Sequence, residues 1–106
     1  MPPSIHSAIY CGVLVSLALS TGPVFAADGK EIYENYCDLC HGKGMIGAPR
    51  YGEKKDWKKL LPKGEETLIS SAINGLNQMP AKGGYKLRLS DEDVKAAAIY
   101  LLRSVQ

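Results

Sequence analysis

The chain has few of the residues that metal sites and disulfide-stabilised folds require. It contains three cysteines and two histidines in 106 residues, and only two of those cysteines and one histidine follow residue 26. A zinc site needs four ligands, so this region is one short unless a carboxylate such as Asp38 joins. It has no further cysteine pair for a disulfide framework. Residues 28–106 show no strand-like alternation, repeat or low-complexity tract, which leaves helical patterns to be considered.

Cys37, Cys40 and His41 form a C-x-x-C-H motif. Positions i, i+3 and i+4 share one face of a helix. The motif is the attachment signature of haem c, in which both thiols add to the porphyrin vinyl groups and the imidazole ligates the iron. A thioredoxin-like dithiol would need a strand-helix-strand context, and a plain Cys37–Cys40 disulfide would leave His41 without a role. The motif therefore predicts one covalently bound haem c with its iron.

The first 26 residues have the pattern of a secretory signal peptide. An apolar run from Ala8 to Leu19 is followed by the breaker Ser20–Pro23 and by small residues that favour cleavage after Ala26. No Lys or Arg precedes the run. An uncleaved membrane anchor is the alternative, although a spanning helix needs roughly twenty mostly apolar residues. We expect a cleaved segment 1–26, a domain 27–106 and a periplasmic location, because haem c is attached outside the cytoplasm in bacteria.

Helical periodicity in residues 27–106 predicts an all-α domain of three or four helices. Asp28 and Glu31 form a capping box before the first helix, which ends near the C-x-x-C-H motif. A second amphipathic helix begins at Glu65 and ends at Gly75. Ser90 opens another capping box before the last helix. The buried stripe of that helix consists of Val94, Ala97, Ala98, Leu101, Leu102 and Val105.

The segments between these helices are rich in glycine and proline. Residues 42–52 contain four glycines and Pro49, which predicts a loop folded against the haem edge. Asp56 is expected to cap a short turn over 57–61 that Pro62 ends. Residues 77–84 are predicted to be non-helical as well.

A six-coordinate electron-transfer haem needs a ligand opposite His41, and methionine sulfur is the usual one. Met1 is in the leader, and Met45 follows His41 too closely to cross to the other side of the porphyrin. Met79 remains, in a loop before the last helix, and Pro80 fixes the backbone behind it. Met79 is therefore the predicted distal ligand; the alternative is that it fills a gap in the core.

The whole of residues 27–106 resembles the class I cytochromes c, most closely the cytochrome c5 group. The resemblance rests on Gly29, Tyr33, Cys37-x-x-Cys40-His41, Gly47-Ala48-Pro49, Asp56-Trp57, Met79-Pro80-x-Lys82-Gly83-Gly84 and Ser90-Asp91-Glu92. It implies a small monohaem cytochrome c fold in which the first and last helices cross.

The resemblance also implies roles for individual residues. The Pro49 carbonyl would accept a hydrogen bond from His41 Nδ1–H, which sets the tautomer and orientation of the ring. Trp57 would bind beside the haem propionates. Gly29 and Tyr33 would pack against Tyr100. The plainer alternatives are that Pro49 is a turn residue, that Trp57 belongs to the core and that the helices pack in an ordinary way.

Charge is nearly balanced, with 13 Lys and Arg against 11 Asp and Glu. A basic rim would steer acidic redox partners in a salt-dependent way, although such charge runs are often only solvated faces. The basic residues concerned are Lys54, Lys55, Lys58, Lys59, Lys63, Lys82, Lys86 and Arg88.

These features predict a one-electron carrier rather than an enzyme. We expect it to carry electrons between a membrane-bound or periplasmic reductase and an oxidase, and to bind no nucleic acid and no small-molecule substrate. The sequence leaves weak membrane association open. Two alternatives remain. One is a haem enzyme or a gas or peroxide sensor with an open sixth position, although no second histidine is present after residue 26. The other is the cytochrome subunit of a larger periplasmic dehydrogenase.

Overall fold

Four helices joined by loops and 3₁₀ turns make up residues 27–106, which, with Gly12, are the part of the chain that the computed structural model describes. The predicted signal peptide and its cleavage site therefore lie outside the described residues, apart from Gly12. The helices are α1 (Gly29–Ile32, a π-helical turn Tyr33–Cys37, and Asp38–His41), α2 (Lys54–Trp57), α3 (Glu65–Asn74) and α4 (Asp91–Arg103), and the 3₁₀ turns are Met45–Gly47, Leu61–Lys63 and Ala81–Gly84. Residues 27–106 contain no strand, so the all-α prediction is confirmed.

Local capping explains where α3 ends and where α4 begins. Ser90 Oγ accepts from Asp93 N at 3.1 Å, and the Asp93 carboxylate accepts from Ser90 N at 3.0 Å, so this predicted capping box is present. Gly75 ends α3 with a φ of 86°, which glycine adopts without strain. The first capping box is only half formed. Asp28 accepts from Glu31 N at 3.3 Å, but the Glu31 carboxylate accepts no return bond from Asp28 N within residues 27–106.

Two predictions around α2 are wrong. Asp56 lies inside α2 and binds Arg50, so it caps no following turn. A charged partner at the right distance outcompetes the neighbouring backbone amides. Pro62 does not end a turn but lies in the first positions of a 3₁₀ turn. Proline is tolerated there, because the missing N–H would have had no partner.

The core forms where α1 crosses α4. A Cβ at Gly29 would overlap the Ala96 carbonyl, so the two backbones meet directly. The rings of Tyr33 and Tyr100 lie 5.5 Å apart across the same crossing. Helix α3 also packs against α4. No helix among the described residues is long and apolar enough to span a membrane. The buried apolar residues are Tyr33, Trp57, Ile69, Leu89, Val94, Ala97, Leu101, Leu102 and Val105.

Candidate haem-binding site

The two predicted haem-binding cysteines lie one helical turn apart at the end of α1. Cys37 closes the π-helical turn and Cys40 follows in the last turn, and both thiols are free and half-buried. Single π-helical turns occur frequently at functional sites. Burial, followed by the charge of Asp38, raises the pKa of the Cys37 thiol to about 11.

His41 is held in one orientation by the loop that follows it. Its Nδ1 lies 2.7 Å from the Pro49 carbonyl oxygen, which can only accept, so Nδ1 carries the hydrogen. In the neutral imidazole this leaves the lone pair on Nε2, the form that ligates a metal. Tyr51 N also donates to the His41 carbonyl at 2.7 Å, so the loop folds back onto the end of α1.

Trp57 lies behind the His41 ring. The ring centroids are 6.2 Å apart at an interplanar angle of 28°, and Trp57 is buried in the core. Its Nε1 donates to the Arg50 carbonyl at 2.8 Å. This hydrogen bond therefore connects the loop to α2. The position of Trp57 beside the haem propionates stays a prediction.

Sequence reasoning missed the link between Arg50 and Asp56. Arg50 Nε donates to Asp56 Oδ2 at 2.8 Å, and the backbone N of Arg50 donates to the same oxygen at 3.2 Å. These hydrogen bonds hold the pKa of the Asp56 carboxyl below its usual range. Arg50 directly follows Pro49, so the bonds between Arg50 and Asp56 also restrain the Pro49 carbonyl that orients His41. Its only signal in the sequence was a pair of opposite charges six residues apart.

A cluster of three tyrosines packs behind Cys37. Tyr33 lies 5.2 Å from Tyr51 and 5.5 Å from Tyr100, measured between ring centroids. Tyr51 Oη donates to Tyr100 Oη at 3.3 Å, and Tyr33 Oη donates to Asp38 Oδ1 at 3.2 Å. Burial and then the Asp38 charge raise the pKa of Tyr33. The sequence suggested Tyr33 against Tyr100, but it gave no sign that Tyr51 completes the cluster.

Met79 lies on a separate loop, which packs against α3 and reaches α1. Leu76 and Met79 exchange two backbone hydrogen bonds of 3.0 Å. A Cβ at Gly75 would come within 2.9 Å of Ala81 N, so the end of α3 lies directly on this loop. On the α1 side, Tyr85 meets Tyr36 edge to face at 4.9 Å, one residue before Cys37. Met79 is half-buried.

The donor set fits a covalently attached haem. Two free thiols and an imidazole with an available Nε2 lie within five consecutive residues. Across residues 27–106, no three or more Cys, His, Asp or Glu side chains come together as a metal cluster. Four-ligand zinc coordination therefore has no support in the described part of the chain.

Comparisons with known proteins agree with this chemistry. Residues 25–101 match the family model described as cytochrome C oxidase, cbb3-type, subunit III. Cytochrome c-555 of Chlorobaculum tepidum is 38% identical over 104 residues, which cover 91% of this chain and 95% of that protein. Cytochrome c5 of Azotobacter vinelandii is 36% identical over 74 residues, covering 68% and 88%.

The fold is also found among solved structures. A cytochrome c solved in an electron transfer complex with nitrite reductase superposes with a TM-score of 0.68 at 28% identity, over 74% of this chain and 95% of that one. The chain belongs to the class I c-type cytochromes, small electron-transfer proteins with one covalently bound haem c and its iron. Within that class, its relatives include proteins named cytochrome c5 and cytochrome c-555. Its expected class, electron-transfer protein rather than enzyme, is confirmed.

Proposed function

We propose that the chain is a periplasmic one-electron carrier of a respiratory chain. Cys37 and Cys40 bind the haem through thioethers, His41 is the proximal iron ligand and Met79 is the distal one. The bound haem supplies the redox chemistry, as its iron alternates between the ferrous and ferric states. The observation that carries this proposal is the 2.7 Å hydrogen bond between His41 Nδ1 and the Pro49 carbonyl, which leaves Nε2 ready to ligate.

The polypeptide holds its ligands before and after each electron transfer. The Pro49 carbonyl keeps the His41 ring from rotating, and the buried Trp57 ring lies nearly parallel to it at 6.2 Å between centroids. Two backbone bonds between Leu76 and Met79 fix the shape of the turn that carries Met79. Met45, the other methionine of the described region, is exposed on the turn directly after His41. Ligands held in this way need little rearrangement when the charge of the iron changes, which suits a carrier.

The same proposal includes the processing of the chain. Residues 1–26 act as a signal peptide that is removed during export, and residues 27–106 are the cytochrome domain. The apolar run and small-residue site support cleavage. Mass spectrometry of the protein isolated from the periplasm tests this, with Ala27 expected at the N-terminus. A chain that retains the apolar segment and sediments with membranes would contradict it.

Acidic redox proteins are the proposed partners. The five lysines between residues 54 and 63 are all exposed, so they present positive charge to solvent. The neighbouring structure in complex with nitrite reductase supports a redox protein as the partner class. The electron-transfer rate with an acidic partner should fall as ionic strength rises, because salt screens exposed charges. A rate independent of salt would contradict this steering. The lysines concerned are Lys54, Lys55, Lys58, Lys59 and Lys63.

A second candidate is a permanent subunit of a larger redox complex. The matching family model is described as a subunit of cbb3-type oxidase, which favours this variant of the same chemistry. Native mass spectrometry of the protein, extracted from its source under mild conditions, distinguishes the free carrier from the permanent subunit. A free carrier should be detected alone, at the mass of the domain with its haem.

The experiment that tests the proposal uses Met79→Ala in the haem-loaded protein. Oxidised wild type should show the long-wavelength sulfur-to-iron charge-transfer band, and reduced wild type should bind carbon monoxide slowly. Met79→Ala should lose the band, bind carbon monoxide readily and have a lower reduction potential, since thioether ligation favours the ferrous state.

Met45→Ala is the matched control and should change none of these properties. If Met79→Ala keeps both band and potential, another residue is the distal ligand. If wild type itself binds carbon monoxide rapidly, an open-site enzyme or sensor replaces the carrier.

A further inference from the structure

Lys82 is held in an unusual environment for a lysine. Its side chain is only 17% exposed, whereas lysine side chains normally remain in water. Its backbone has a φ of 54°, in the left-handed region that favours glycine. Gly83 and Gly84 follow directly, so the chain keeps a lysine at a position where glycine would be less strained. The side chain must therefore offset both backbone strain and the cost of burial.

The ammonium group of Lys82 binds the segment where α4 begins. Nζ donates to the Leu89 carbonyl at 3.0 Å and lies 2.8 Å from Asp91 Oδ1. Leu89 is buried, and Asp91 is the first residue of α4. Hydrogen bonds from a charged group are stronger than neutral ones. Lys82 and Leu89 are shielded from solvent, whereas the Asp91 side chain is 67% exposed, so the bond to the Leu89 carbonyl contributes more than the ion pair. Lys82 thus ties its loop to the helix that crosses α1, which carries the haem attachment motif.

Lys82 is also rigidly connected to Met79. Only Pro80 and Ala81 separate the two residues, and Pro80 has a fixed φ. Gly83 N donates to the Pro80 carbonyl at 3.0 Å, which closes the turn around Lys82. Because the turn is short and internally bonded, a displacement of Lys82 is passed to Met79.

We propose that Lys82 is a positioning residue whose ammonium group holds the Met79 loop against the start of α4 and thereby keeps Met79 on the haem iron. This inference rests on the proposed role of Met79 as distal ligand. Lys82 is not itself an iron ligand. It shifts the balance between bound and released Met79 through its bonds to Leu89 and Asp91.

The test compares haem-loaded Lys82→Leu and Lys82→Arg with wild type. Leucine keeps a side chain of moderate size but has no donor and no sulfur that could replace Met79. Lys82→Leu should weaken the charge-transfer band and speed carbon monoxide binding to the reduced protein about tenfold or more, the size expected for losing a charge-assisted bond. Lys82→Arg keeps the charge and should restore most of the wild-type behaviour. Asp91→Asn, which leaves the Leu89 bond, should have a smaller effect.

Lys86→Leu is the control, because Lys86 is an exposed lysine of the same loop with no hydrogen bond or ion pair within residues 27–106. Lys82→Gly addresses backbone strain: it removes the ammonium but relaxes the left-handed position. If Lys82→Gly retains a full band and slow carbon monoxide binding, the ammonium is unnecessary and the inference is overturned. Circular dichroism at the same temperature should show native helix content in each variant.

Met79→Ala, measured in parallel, separates this inference from the proposed function. If Met79→Ala opens the site while Lys82→Leu behaves as wild type, Lys82 positions nothing and the proposed function stands. If Met79→Ala keeps the band, the ligand assignment fails and the inference falls with it. Loss of the band in Lys82→Leu and its return in Lys82→Arg is the result that supports the inference.

Discussion

Arg50 connects the loop after His41 to helix α2. Its guanidinium and backbone N bind Asp56, and its carbonyl accepts from Trp57 Nε1. The preceding residue, Pro49, supplies the carbonyl that orients His41. A single ion pair near the surface contributes little by itself. Here it acts together with a buried indole, so the orientation of the histidine ring depends on more than its own hydrogen bond.

This arrangement predicts how acid affects stability. Hydrogen bonds from the Arg50 side chain lower the pKa of Asp56 in the folded state, so the carboxylate stabilises the fold above its ordinary pKa of about 3.9. That contribution is lost as pH falls through the lowered folded-state pKa. Asp56→Asn should therefore have a lower urea midpoint than wild type at pH 6. Between pH 6 and pH 3 its midpoint should fall less than the midpoint of wild type. Urea unfolding of the haem-loaded proteins measures both.

Glu66→Gln is a suitable control, because Glu66 is an exposed carboxylate in the first turn of α3. Its urea midpoints should follow those of wild type. Parallel loss of stability in wild type and Asp56→Asn on acidification would show that Asp56 does not sense pH in this range.

At the scale of elements, the crossing of α1 and α4 determines where the haem attachment motif lies. Gly29 lets the α1 backbone touch the Ala96 carbonyl of α4, and Tyr33 fills the next turn of the crossing. Helices normally lie 8–10 Å apart, depending on the side chains at their contact. A glycine at the contact allows a closer approach, so the first and last helices form one unit.

Gly29→Ala should disrupt this crossing. The added Cβ would meet backbone atoms of α4 that cannot rotate away, so the helices must separate. We expect a loss of about 1–3 kcal/mol, the usual range for overpacking, and a fall in melting temperature of roughly 5–20 °C for a domain of this size. Thermal unfolding of the haem-loaded protein measures it. Lys30→Ala, at the exposed neighbouring position, should leave the melting temperature almost unchanged; equal melting of Gly29→Ala and wild type would mean that the backbones are not in tight contact.

The elements that could be predicted are those with local causes. Ser90 caps α4 through residues within one turn, and Gly75 ends α3 through its own backbone freedom. Asp56 had an equally good local signal but binds Arg50 instead, since that partner is charged and correctly placed. The π-helical turn that ends at Cys37 had no sequence signal, since the spacing of the apolar residues there fits an ordinary α-helix.

The same distinction applies to the candidate site. The spacing of Cys37, Cys40 and His41 is local chemistry, so the motif alone predicts haem attachment. The bond between His41 and Pro49 was expected only through resemblance to a family, because an eight-residue loop can close in many ways. The bonds of Lys82 could not be predicted at all, since they depend on how its loop meets α4.

At the scale of the whole molecule, the core is small. Nine apolar residues are buried in the described region, and residues of the candidate site such as Cys37, Cys40, His41 and Met79 are only half-buried. A domain of about 80 residues gains limited stability from its own core and commonly needs a disulfide, a metal or a cofactor. The described region has no disulfide, and both of its cysteines belong to the attachment motif. We therefore expect the haem to be a structural part of the core as well as the redox group.

Removing the haem should accordingly remove cooperative folding. Cys37→Ala and Cys40→Ala should each lower the yield of haem-loaded protein, and the double variant should retain no haem on a denaturing gel, because thioether bonds are what keep the porphyrin attached through unfolding. Haem that still migrates with the double variant would disprove attachment at these cysteines.

The haem-free double variant should show reduced helicity and a broad thermal transition by circular dichroism, since its helices lack a shared apolar partner. A sharp melt of haem-free protein would instead show that the nine buried residues are sufficient for cooperative folding and that the haem is not a structural part of the core.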